Sequence, residues 1–190
     1  MRMKKLFAFR FSLFASAAGF TLIELIVTVA ITTLLVSMPI LYGSRSRGQV
    51  TLFVNTSRVA QEILRAKSLT LAAYATTTAS GVPCAYGVQV TRGSNTFNLF
   101  QYPRSGCAPT FTSMNPGLEL PVENFVLDSA VRFRSAGTTA RDVMFIPPDP
   151  TTVIYDGSAI LPNGGQIILE TTDGADSAVI TINSFGQVTF

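Results

Sequence analysis

A run of 23 residues, 20–42, contains a single charged side chain, and this run limits the possible folds of the chain more than any other feature. The charge is Glu24, close to the start of the run. As an α-helix the run would rise about 34 Å, enough to cross a hydrocarbon core of about 30 Å. A carboxylate there is costly unless the helix dipole and a cationic partner stabilise it. The sequence therefore predicts a membrane-spanning helix that packs beside copies or relatives of itself.

The residues Gly19-Phe20-Thr21-Leu22-Ile23-Glu24, followed by the apolar run, resemble the class III signal of type IV pilins and type II secretion pseudopilins. The resemblance implies that a membrane prepilin peptidase cleaves the chain between Gly19 and Phe20 and that Phe20 is then N-methylated. It also implies that Glu24 pairs with the terminal amine of a neighbouring subunit in a filament. The alternative is a plain anchor, or an uncleaved signal, with a chance glutamate.

Residues 1–19 are predicted to be a prepilin leader peptide. Their charges are all positive, and they are Arg2, Lys4, Lys5 and Arg10. Positive residues before a membrane segment predict a cytoplasmic N-terminus and an exported C-terminal domain. The segment Ala15-Ser16-Ala17 also matches an ordinary signal peptidase site, and this alternative predicts a mature chain that starts at Ala18.

The charge balance depends on the leader. The whole chain carries a net charge of +3, from 14 basic and 11 acidic residues. Without the four leader cations, ten basic residues face 11 acidic ones, a net charge near −1. The basic isoelectric point of the whole chain therefore gives no support for a nucleic-acid partner. The chain also has no histidine, so no Ser-His or Cys-His arrangement is available and no enzymatic activity is expected.

Residues 43–80 are predicted to continue the helix into a globular domain. Residues 49–76 lack proline and glycine, and apolar or Thr residues recur at alternating spacings of four and three. These positions are Leu52, Thr56, Val59, Ile63, Ala66, Thr70 and Ala73, and Val50, Phe53, Val54, Ala60, Leu64 and Leu71 widen the stripe. The stripe predicts a face on which a β-sheet packs. One helix from Phe20 to near Thr76 would be about 85 Å long.

Pro39 lies inside the apolar run, where it removes one backbone hydrogen bond and bends or locally melts the helix. The family resemblance implies a link with melting of the helix in assembled filaments, although Pro39 lies slightly earlier than the usual place. The alternative is a simple kink that relieves packing.

Residues 81–190 are predicted to form a β-rich exported domain. Tyr86–Val90 and Thr96–Tyr102 alternate with period two around a turn, which is typical of a hairpin, and Pro103–Pro121 is predicted to be a surface excursion. Further predicted strands are Ala130–Arg134, Asp142–Ile146, Gln166–Thr171, Ala178–Ile182 and Gln187–Phe190. The predicted fold class is α+β, with a long N-terminal helix packed against a small antiparallel β domain.

Several short segments, in their order along the chain, resemble the GspH/FimT-like minor pseudopilins. They are Glu62–Ser68, Tyr86–Val88, Asn98–Phe100 and Ile180–Gln187. The resemblance implies two β-sheets packed against the C-terminal half of the helix. Some relatives bind DNA through arginines after the last glycine, but residues 187–190 here contain no arginine, which argues against DNA as a partner.

Cys84 and Cys107 lie in the predicted exported domain, where an oxidising compartment favours a disulfide between them. Such a bond would contribute about 3 kcal/mol in the chain-entropy model. The alternative is two free buried thiols, and two cysteines without histidine do not make a zinc site.

Two acidic turns, Asp173–Asp176 and Asp149–Asp156, could hold calcium. The alternative is that these aspartates are only polar turn residues, because the sequence indicates too few oxygen ligands for a calcium site. No cofactor and no metal is expected.

Together these features predict a minor pilin or pseudopilin subunit that initiates or tips a filament used in secretion, adhesion, motility or DNA uptake. The expected location is the inner membrane, with a single pass, the C-terminal domain outside the cytoplasm, and later the pilus or pseudopilus. The expected partners are the prepilin peptidase, other pilin or pseudopilin subunits, the inner-membrane assembly platform and the lipid bilayer. The alternative is a membrane-anchored binding module, an adhesin or a DNA receptor, that does not enter a filament.

Overall fold

The computed structural model describes residues 21–75, 83–103, 114–147 and 151–190, without the side chains of residues 38–46, 116 and 151. The predictions for Gly19, Phe20, Cys107, Asp149 and the Pro39 side chain fall outside these described residues. The chain divides into two units, one ending at Gly43 and one comprising Ser44–Phe190.

The N-terminal helix, α1, is assigned from Leu22 to Ala75. Among the described residues, no helix is both long and apolar enough to cross a membrane. The transmembrane role of residues 20–42 stays a prediction.

The described residues of the second unit contain nine β-strands in two antiparallel sheets. The strands are β1 Ala85–Val90, β2 Thr96–Tyr102, β3 Leu120–Val126, β4 Val131–Phe133, β5 Asp142–Ile146, β6 Thr151–Tyr155, β7 Gly165–Thr171, β8 Ser177–Ile182 and β9 Val188–Thr189. The first sheet has the order β3-β2-β1-β5-β6, and the second has the order β4-β7-β8-β9. The α+β class with two antiparallel sheets is therefore confirmed.

The predicted hairpin is confirmed, because β1 pairs antiparallel with β2 from Ala85 opposite Tyr102 to Val90 opposite Phe97. The prediction for Pro103–Pro121 is wrong at its C-terminal end, where β3 begins at Leu120 and includes Pro121. β3 is an edge strand. An edge strand tolerates proline, which has no backbone N–H to donate, because only one of its sides pairs with a neighbouring strand.

One core joins α1 to both sheets. The helix contributes the predicted stripe, in which Leu52, Thr56, Val59, Ile63, Ala66 and Thr70 are buried. The first sheet adds residues such as Val88, Leu99 and Val143, and the second adds Phe133, Ile167 and Ile180. The predicted widening of the stripe is mostly wrong, because Val50, Phe53, Val54, Leu64 and Leu71 are exposed. The buried face is therefore narrower than predicted, although Asn55 and Ala60, beside the main line, are also buried.

A second apolar cluster lies on the opposite face of the first sheet, which follows from the period of two along each strand. Its buried members are Ala85, Phe100, Tyr102, Met114, Met144, Val153 and Tyr155. Met114 and the partly buried Leu118 belong to the segment Met114–Glu119, called the flap below, which contains a short 3-10 helix at Pro116–Leu118. The flap therefore covers the second cluster.

Candidate assembly site at the start of α1

Thr21 caps the first turn of α1. Its Oγ1 accepts a hydrogen bond from the backbone N–H of Glu24 at 3.3 Å, and its carbonyl accepts one from Leu25 N–H at 3.1 Å. The cap satisfies one of the N–H groups that a helix start leaves unpaired, and Glu24 lies in the first turn at the positive end of the helix dipole. This role of Thr21 was not predicted, although the spacing Thr-x-x-Glu is typical of a helix start.

Every residue from 21 to 37 is exposed. The large apolar side chains among them are Leu22, Ile23, Leu25, Ile26, Val27, Val29, Ile31, Leu34, Leu35 and Val36. A continuous exposed apolar surface of this kind marks a site that contacts another protein or a membrane. Residues 21–37 are therefore a candidate interaction surface.

The hydroxyl groups of this surface are satisfied within the helix. Thr28 donates to the Leu25 carbonyl at 3.0 Å, Thr33 to the Val29 carbonyl at 2.6 Å, and Ser37 to the Leu34 carbonyl at 2.8 Å. Thr32 likewise donates to the carbonyl of Thr28 at 2.8 Å. Such back-bonded hydroxyls need no water, which suits an apolar environment.

Glu24 differs from these hydroxyl residues. Among the described residues, no Lys or Arg forms an ion pair with its carboxylate. The carboxylate therefore lies at a capped helix start, within an apolar surface.

The family described as "prokaryotic N-terminal methylation motif" matches residues 15–38. The chain carries the pilin signature. The match includes Gly19, Phe20 and Glu24 and ends before the second unit begins at Ser44. No curated protein and no solved structure matches the chain.

The pilin signature implies processing by a prepilin peptidase and assembly with other pilin subunits. It also suggests a protein that is anchored in a membrane and then assembled into a pilus. The three predicted residues Gly19, Phe20 and Glu24 lie within six positions, and the structure describes only Glu24 among them.

The predicted disulfide stays a prediction, because Cys107 lies outside the described residues. Cys84 precedes β1, and its Sγ lies 3.4 Å from the Tyr102 carbonyl oxygen and 3.3 Å from that of Pro103. Pro103 is the last described residue before the segment that contains Cys107. Cys84 therefore lies beside the start of that segment.

Two of the acidic turn residues, Asp156 and Asp173, accept hydrogen bonds within their own turns. Asp156 Oδ1 accepts hydrogen bonds from Ala159 N–H at 2.7 Å and from Ser158 N–H and Oγ at 2.6 and 2.8 Å, which lower the pKa of Asp156 to about 2. The Thr171 side chain and the Ala175 N–H likewise lower the pKa of Asp173. These contacts support the turn role for both aspartates.

A buried charged cluster, which was not predicted, lies where the flap meets the first sheet. Asp142 on β5 is fully buried, and Arg141 Nε donates to its Oδ2 at 2.8 Å. Glu119 on the flap accepts a hydrogen bond from Gln89 Nε2, and its Oε1 lies 3.8 Å from the Arg141 guanidinium. One signal was present: Asp142 directly precedes the apolar residues of a predicted strand.

Proposed function

We propose that this protein is a minor subunit of a type IV pilus or a type II secretion pseudopilus. It is cleaved between Gly19 and Phe20, anchors in the inner membrane through residues 20–42, and assembles through its N-terminal helix to initiate or tip the filament. Its role is mechanical rather than catalytic, in keeping with the absence of histidine from the sequence.

The single observation that carries this proposal is the environment of Glu24. The surrounding hydroxyl groups are satisfied within the helix, and the carboxylate has no described cation beside it. An ordinary membrane anchor gains nothing from such a charge, because an unpaired carboxylate opposes insertion. A subunit that receives the terminal amine of a neighbour gains a charge-assisted contact in a low-dielectric environment, which sets the axial register between the two subunits.

The test replaces Glu24 and follows the protein from cleavage to assembly. Glu24→Val should give a chain that is cleaved, inserted and folded, yet is strongly depleted from filaments recovered by shearing. Glu24→Asp should be intermediate, because it keeps the charge but shortens the reach of the carboxylate. Thr32→Val is the matched control, since the Thr32 hydroxyl is already satisfied within α1, and its incorporation should equal that of the wild type.

Normal incorporation of the Glu24→Val chain would show that the carboxylate is not an assembly contact. In that case the alternative, a membrane-anchored binding module, gains support. One feature of the second unit suits it: a cleft of about 610 Å³ lined by Arg92, Arg141 and the turn that begins at Asp156. Absence of the wild-type protein from sheared filaments would also favour the alternative.

A further inference from the structure

The flap is held on the first sheet at two points. Tyr102 on β2 accepts a hydrogen bond from Asn115 N–H at 3.0 Å, and its hydroxyl donates to the Asn115 carbonyl at 3.2 Å. At the other end of the flap, Glu119 accepts a hydrogen bond from Gln89 on β1. Between these points, Met114 and Leu118 pack on the second apolar cluster. The flap therefore shields residues such as Phe100 from water.

The charges around Glu119 are unbalanced when both carboxyl groups are ionised. The Arg141 guanidinium, stacked over the Tyr155 ring at 5.2 Å, lies 2.6 Å from Asp142 Oδ2 and 3.8 Å from Glu119 Oε1. The Glu119 and Asp142 side chains are 7% and 0% exposed, so among the described residues one close cation serves two buried carboxylates. Arg92, in the turn after β1, adds a weaker attraction on Asp142.

Within the described part of the chain, two of the four carboxyl oxygens also lack a hydrogen-bond donor. Glu119 Oε1 and Asp142 Oδ1 are buried, and neither has a hydrogen-bond partner among the described residues. A buried acceptor without a donor costs about 1–3 kcal/mol, and more when it is charged. A proton on Glu119 removes the excess negative charge and lessens this penalty.

We propose that Glu119 is a proton-operated latch of the flap. The protonated carboxyl group keeps the flap closed over the second apolar cluster, and loss of the proton favours an open flap. Opening returns Glu119 to water, where the ionised form is solvated, and exposes the apolar side chains of the cluster.

The acid–base balance of the site supports this latch. Burial, followed by the charge of Asp142, raises the pKa of Glu119 from 4.5 to about 7. A carboxyl group with a raised pKa in the closed state stabilises that state fully below pH 4.5. The stabilisation is lost as the pH rises towards 7 and is absent above it. Closure therefore weakens from mildly acidic to neutral pH.

The latch is tested by hydrogen exchange and mass spectrometry on the full chain in detergent, at pH 6 and pH 8. Wild type and Glu119→Gln are compared at the same pH, so that the intrinsic dependence of exchange on pH cancels. The side-chain amide of the Glu119→Gln variant is neutral at both pH 6 and pH 8. The ratio of exchange rates in the flap peptide, wild type over Glu119→Gln, should rise about tenfold from pH 6 to pH 8.

Glu123→Gln is the matched control, because Glu123 is 45% exposed and pairs with Arg65 at 2.9 Å on the surface. It should keep the wild-type response to pH. A wild-type to Glu119→Gln ratio that stays constant between pH 6 and pH 8 would overturn the proposal.

If Glu119→Gln fails to fold, carbon-13 NMR of the glutamate carboxyl carbons in the wild type decides. One glutamate that titrates well above the others supports the latch, and ordinary titration of all glutamates contradicts it.

Discussion

Gly186, in the turn between β8 and β9, joins three parts of the second unit. Its φ is +70°, and a Cβ built there would lie 2.5 Å from Thr152 Oγ1 and 2.8 Å from the Phe145 ring. Lys67 of α1 lies over the same ring at 5.9 Å and reaches the Gly186 carbonyl at 3.5 Å. The close approach of helix, first sheet and second sheet therefore requires glycine here.

We expect Gly186→Ala to lower the free energy of unfolding by about 3 kcal/mol, from backbone strain and overpacking together. Gly174→Ala is the matched control, because φ at Gly174 is +72° and its Cβ would meet nothing within 4 Å. That change should cost about 1 kcal/mol, the strain alone. Urea unfolding of the two purified variants measures the difference, and equal losses would mean that Thr152 and Phe145 move aside at little cost.

At the scale of elements, Thr70 links α1 to the first sheet. Its hydroxyl donates to the Ala66 carbonyl at 3.0 Å and accepts a hydrogen bond from the Tyr86 N–H of β1 at 3.0 Å. The Phe145 carbonyl of β5 lies 3.3 Å from the same oxygen. A single buried hydroxyl group thereby fixes the position of α1 along two neighbouring strands, β1 and β5.

Thr70→Val should lower the free energy of unfolding by about 1–3 kcal/mol, because the Tyr86 N–H loses its acceptor. Thr56→Val is the matched control: Thr56 is equally buried at 1%, but its hydroxyl donates to the Leu52 carbonyl within α1. That variant should lose less free energy of unfolding than Thr70→Val, because no backbone N–H loses its acceptor. Thermal unfolding of both variants compares them, and an equal loss would contradict the linking role.

The elements that sequence predicted best are those with a clear period and ordinary turns. β5 matches its predicted bounds, and the β1–β2 hairpin is confirmed because alternation and turn residues agree there. β3 and β6 were missed because prolines adjoin or interrupt them: Pro121 lies inside β3, and the run Pro147–Pro150 directly precedes β6. Both are edge strands, which pair with a neighbouring strand on one side only and therefore tolerate proline. The local sequence contains no pattern that identifies an edge strand.

For the whole molecule, the candidate assembly site could be predicted from the sequence, whereas the flap could not. Glu24 is recognisable because its motif is local and its charge stands alone in an apolar run. Glu119 and Asp142 are 23 positions apart, and only the packing of the flap on the first sheet brings them to one cation. A site made by tertiary contacts leaves no spacing rule in the sequence, whereas a site within one helical turn does.

Processing changes the whole molecule, because removal of residues 1–19 would convert a net charge of +3 into one near −1 and create a new terminal amine for the Glu24 of a neighbour. We therefore expect N-terminal sequencing and intact-mass measurement of membrane-derived protein to give a chain that begins at methylated Phe20. Gly19→Val should leave only the precursor, because the residue before the cleaved bond is changed. Ala17→Leu, which spoils the Ala15–Ala17 match to ordinary signal peptidase, is the control and should be processed normally.

A mature chain that begins at Ala18, lost in the Ala17→Leu variant and kept in Gly19→Val, would show that ordinary signal peptidase acts here. The terminal amine would then lie two residues farther from Glu24, and the pairing between subunits would lose its basis.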